Sequence, residues 1–70
     1  MELGKMQKLT DYIFTGYYPT GRKTLIKRIC EFYAHKGMTE ARASRGLELL
    51  VERGLVLKVN GFIYMKNYKQ

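Results

Sequence analysis

Cysteine is almost missing from this chain. Cys30 is the only one in 70 residues, so no disulfide can close within it. Its place among Ile29, Phe32 and Tyr33 in a helical apolar pattern predicts a buried, inert thiol rather than a nucleophile or ligand. Histidine is as scarce: His35 stands alone, with no second histidine or cysteine at ligand spacing, so neither a metal nor a cofactor is expected. No apolar run approaches the roughly 18 residues of a membrane span, and no signal peptide is visible. These absences set the expectation of a cytoplasmic, nucleoid-associated or otherwise intracellular protein with no membrane partner. Acidic residues are few, 6 against 13 basic ones, giving a formal net charge of +7 and a pI near 9.8. That imbalance favours a polyanionic partner, nucleic acid ahead of an acidic membrane. Length excludes more still. One small domain has no room for a nucleotide-binding sheet or a two-lobed active site, and its apolar stripes are needed for its own core.

The pattern that is present is mainly helical. After frayed ends at about residues 1–4, Met6, Leu9, Tyr12 and Ile13 recur at helical spacing from Lys5 to about Phe14. Gly16-Tyr17-Tyr18-Pro19-Thr20-Gly21 breaks the chain. A second helix is predicted from between Thr20 and Thr24, either of which suits the cap, to about Lys36. It carries an apolar stripe of Leu25, Ile26, Ile29, Cys30, Phe32 and Tyr33, with Arg22, Lys23, Lys27 and Arg28 in its first half. Gly37 suits its C-terminal cap. Met38 then plugs the turn and Thr39 caps a third helix, with Glu40 in the first turn where the helix dipole favours an anion. Ala43, Leu47 and Leu50 stack on the inner side of that helix, flanked by Gly46 and Val51. Ala41, Arg45, Glu48 and Glu52 lie nearly opposite. Arg42 and Leu49 occupy one shoulder of the outer face, and Ser44 the other. Gly54 stops the helix. Asn60-Gly61 between apolar strands predicts a two-residue hairpin turn. That turn pairs Val59 with Phe62, Lys58 with Ile63 and Leu57 with Tyr64, placing Leu57, Val59, Phe62 and Tyr64 on the core face. Asn67 to Gln70 read as a loose tail.

Gly37-Met38-Thr39, Ala43-Ser44-Arg45-Gly46-Leu47 through Leu50, Glu52-Arg53-Gly54-Leu55-Val56 and the hairpin after them resemble the winged helix–turn–helix DNA-binding family over about residues 24–66. The resemblance implies an α+β, mostly α fold in a single domain over residues 1–70: three helices followed by a two-stranded β-hairpin wing. It also implies double-stranded DNA as partner, with the third helix in the major groove and the wing on adjacent backbone. Two features depart from the family pattern. The second helix looks four turns long, against the usual two or three, and Leu49 stands where a basic residue is common.

The expected DNA-binding set follows. Arg42 and Arg45 lie in the N-terminal half of the third helix, the half that enters the groove, and arginine can pair bidentately with guanine. Ser44 and Thr39 suit phosphate or base contacts, with capping as the plainer role for Thr39. Lys58 and Asn60 belong to the wing. Lys23 and Lys27, four apart on one helix face, and Arg22 beside them suit backbone contacts that position the protein. Glu48 and Glu52 would repel phosphates, so only the first two turns can sit deep. A stretch resembling a phosphate-binding loop, Gly16 to Thr24, is a decoy: Arg22 follows the second glycine where lysine is required, and Lys23 takes the hydroxyl position. No constellation supports an enzyme. The expected function is a small transcriptional regulator. The alternatives are a winged-helix interaction module in a replication, transcription or chromatin assembly, motivated by Leu49 and the Tyr17-Tyr18 loop, and RNA binding on the same basic surface. A homodimer through the N-terminal twenty residues is expected, against the competing view that Met6, Leu9, Tyr12 and Ile13 complete a monomer core.

Overall fold

The computed structural model describes residues 3–16 and 19–67. Tyr17 and Tyr18, named above as a possible contact, lie outside the described residues. Among those described, the chain runs α1 (Leu3–Ile13), β1 (Thr20–Gly21), α2 (Arg22–Phe32), a short 3-10 turn (Ala34–Lys36), α3 (Glu40–Glu52), β2 (Val56–Lys58) and β3 (Ile63–Lys66). Three α-helices and an antiparallel sheet ordered β1-β3-β2 make an α+β, mostly α molecule, with the β2-β3 hairpin following the helices as a wing.

The helices form for the reasons the spacing suggests. Met6, Leu9 and Ile13 of α1, Leu25 and Ile29 of α2, and Ala43, Leu47 and Leu50 of α3 are all buried, and Leu55, Val56 and Tyr64 close the core from the hairpin side. Each such large apolar side chain contributes about 1.5–3 kcal/mol by leaving water. Thr10, polar and buried, returns its hydroxyl proton to the Met6 carbonyl at 2.8 Å. Tyr12 is half exposed and rests edge-on against Phe32 instead of entering the core. Thr39 caps α3 by accepting the Arg42 N–H at 3.2 Å. The other end of α3 closes tightly: Gly54 takes the left-handed φ of 79°, its N–H bonds the Val51 carbonyl, and the Leu55 N–H bonds that of Leu50. Those two reversed bonds satisfy helix-end carbonyls, and they set Leu55 against the core beside Leu50.

Four expectations need correction. First, α2 stops at Phe32, three turns long, and the chain tightens into the 3-10 turn before Gly37 takes a φ of 64°. A tightened last turn is a common way to use up helix-end carbonyls. It also removes the four-turn departure noted above. Neither Thr20 nor Thr24 caps α2; Gly21 stands at the cap with no side-chain bond. Second, Thr20–Gly21, read as part of a break, pairs with β3, Thr20 opposite Tyr64 and Gly21 opposite Ile63. Third, the hairpin register is shifted by one residue: Lys58 faces Tyr64, Leu57 faces Met65 and Val56 faces Lys66. The Asn60 side chain accepts the N–H groups of Phe62 and Ile63 at 2.8 and 3.0 Å, a side-chain turn that competes with the two-residue type. Because strand side chains alternate, one step of slip exchanges the faces. Tyr64 keeps the core face, whereas Leu57 and Val59 turn outward with the slip and Phe62, in the turn before β3, is exposed as well; all three were expected on the core face. Fourth, Asn67 is held, its N–H on the Leu55 carbonyl and its side-chain amide on the Gly54 carbonyl.

Candidate nucleic-acid interface

Three elements meet at Arg22, the first residue of α2. Its backbone N–H donates to the Phe62 carbonyl at 2.8 Å, fixing the start of α2 to the wing. Its guanidinium donates to the Tyr64 hydroxyl at 2.8 Å, to Glu48 Oε1 at 3.1 Å and to the Ser44 hydroxyl. The Tyr64 bond foremost, with Glu48 adding to it against the opposing effect of burial, holds the Arg22 pKa above its ordinary value. One side chain thus ties α2 to the outer row of α3 and to the buried tyrosine of β3. The planar, multi-donor arginine fork suits such a junction better than a lysine would.

This junction changes the roles read for three residues. Arg22 and Ser44, expected to contact DNA, are half-buried and bonded to each other. Glu48, expected as a repelling charge, is offset by Arg22. Thr39 spends its hydroxyl acceptor on the α3 cap, and Asn60 spends its side-chain oxygen on the wing turn. Arg28, beside the basic cluster in sequence, donates to the Ile13 carbonyl at 2.9 Å, where a cation complements the end of α1.

Five cations of the expected DNA-binding set remain open. Arg42 and Arg45 on α3, Lys23 and Lys27 on α2, and Lys58 at the end of β2 are exposed, and none has a side-chain partner among the described residues. Arg45 sits beside Ser44 and three residues before Glu48, so it stands next to the Arg22 junction. Arg42 lies one turn closer to the α3 N-terminus, three residues from Arg45 and therefore on a neighbouring stripe. Leu49, read as outward, is half-buried and packed against the core, which removes it as a free contact surface.

Sequence reading missed Tyr64 as a hydrogen-bonding centre, because its partner lies 42 residues away. Only a correct hairpin register would have pointed to it. Among the described residues no group of three or more His, Cys, Asp or Glu is placed to hold a metal, and no helix is long and apolar enough to cross a membrane. No family model, curated protein or solved structure matches this chain, so the functional argument rests on its own residues.

Proposed function

We propose that this protein binds double-stranded DNA as a small transcriptional regulator, with α3 in the major groove and the hairpin along the adjacent backbone. The observation that carries the proposal is the pair Arg42 and Arg45, exposed and without a side-chain partner among the described residues, on the outer side of a helix whose inner side is core. The major groove, about 12 Å wide, admits one helix, and arginine matches the acceptor pair of guanine. Lys23, Lys27 and Lys58 add phosphate contacts that set orientation without reading sequence. Arg22 and Ser44 contribute from within, by fixing α3 against α2 and the wing.

A salt titration of binding to duplex DNA, single-stranded DNA and RNA of equal length tests this reading. Each neutralised phosphate contributes about −0.9 to the slope of log affinity against log salt on duplex DNA. The three lysines assigned to phosphates therefore predict a slope of about −3 and a clear preference for the duplex. Equal or tighter binding to the single strand or to RNA refutes the proposal.

A further inference from the structure

The hairpin exposes more apolar surface than phosphate contact requires. Leu57 is 49% exposed, Val59 54% and Phe62 76%. Backbone contacts to nucleic acid are made by cationic, hydroxyl and amide groups, not by such side chains. Phe62 and Ile63 form one wall of a groove of about 440 Å³, and Gly21, Lys23 and Ile26 at the start of α2 form the other. Its volume lies within the range of small-ligand sites, about 300–1,000 Å³.

We propose that this groove docks a short segment of another protein, built of a large apolar anchor flanked by carboxylates. Ile26, Phe62 and Ile63 take the anchor. Lys23 lines the groove and Lys27 lies one turn further along the same helix face, both exposed and without a partner among the described residues. They supply charge complementary to an acidic flank. A second copy of this chain is disfavoured as occupant, because it brings its own net charge of +7 to a basic rim. A nucleobase stacked on Phe62 is the competing occupant, since Arg22, Lys23 and Thr24 also line the groove, and the duplex-affinity arm of the test below separates the two. Lys23 and Lys27 are shared with the DNA reading, so duplex and segment would compete for them, whereas Phe62 belongs to the groove alone.

The test pans a random dodecapeptide display library against the whole chain, followed by fluorescence anisotropy on the selected peptides. Expected are peptides with Phe, Leu or Trp next to Asp or Glu, whose binding falls at least tenfold with either Phe62→Ala or Lys23→Glu. Phe62 is exposed, so Phe62→Ala keeps the melting temperature and the duplex affinity of the unmutated chain. The proposal is overturned if no peptide is selected, if the selected peptides are not acidic, or if both variants leave binding unchanged. It is overturned in favour of nucleic acid if Phe62→Ala weakens duplex binding as much as Arg45→Ala does. It is overturned in favour of self-association if the free chain is a dimer that Phe62→Ala dissociates. Absence of duplex binding by the unmutated chain would refute the DNA reading alone.

Discussion

Arg22 shows how one cation of the expected DNA-binding set can be structural while its neighbours stay open. Its Tyr64 bond is to a fully buried tyrosine, so both partners lose by its removal. Tyr64→Phe keeps the ring in the core and takes away one charge-assisted bond, so a loss of about 1.5–3 kcal/mol in urea unfolding is expected. Glu48→Ala removes only an ion pair whose side chains are partly in water, and the expected loss is below about 1 kcal/mol. If the two variants unfold at the same urea concentration, the tyrosine is not the centre of the junction. The open cations behave differently. Arg45→Ala should weaken binding to a selected site by about 1–3 kcal/mol more than to random DNA, as for a base-reading arginine. Lys58→Ala should weaken all duplexes alike and flatten the salt slope by about one unit. Gel-shift titrations on selected and random duplexes check both, and identical behaviour of the two variants would remove the base-reading role of α3.

Among the elements, α3 was the most legible. Thr39, the Ala43-Leu47-Leu50 stripe and Gly54 mark its start, inner side and end, and all three act as read. The interior of the helix holds one weak point, Gly46, where an added Cβ would meet nothing within 4 Å. Gly46→Ala should therefore raise stability by about 0.5–1 kcal/mol through the lower backbone entropy of the unfolded chain. Thermal unfolding measures it, and a drop in melting temperature would mean that the site is more crowded than it looks. Gly54→Ala should do the opposite, costing about 1–2 kcal/mol at a left-handed position. The hairpin was legible as a hairpin but not in register. Asn60-Gly61 is a local signal for a turn, whereas the register is held by contacts distant in sequence: Tyr64 on Arg22, and Asn67 on Gly54 and Leu55. Strand β1, two residues long, shows no period at all and exists only because β3 lies beside it. The candidate site divides in the same way. Exposure of Arg42, Arg45, Lys23, Lys27 and Lys58 follows from helix and strand geometry, but the capture of Arg22 and Ser44 depends on tertiary packing that no local pattern reports.

For the molecule as a whole, α1 bears on the assembly question. Met6, Leu9 and Ile13 of its apolar stripe lie in the chain's own core, each at most 1% exposed, while Tyr12 of the same stripe and Leu3 stay exposed. With most of that stripe in the core, the competing view of a monomer predicts a single species near 8.2 kDa in sedimentation equilibrium at micromolar concentration, and a stable dimer there would restore the N-terminal surface as an interface. One detail of the hairpin bears on how such a molecule can be joined to others. Asn67 binds the Gly54 carbonyl at 2.7 Å, so the last described residue lies beside the C-terminal end of α3. Eleven residues of helical rise separate Arg53 from Arg42, roughly 16 Å. A fluorophore, purification handle or second domain appended after Asn67 would thus begin its path at the acidic end of that helix, and the arginine-bearing end would stay uncovered.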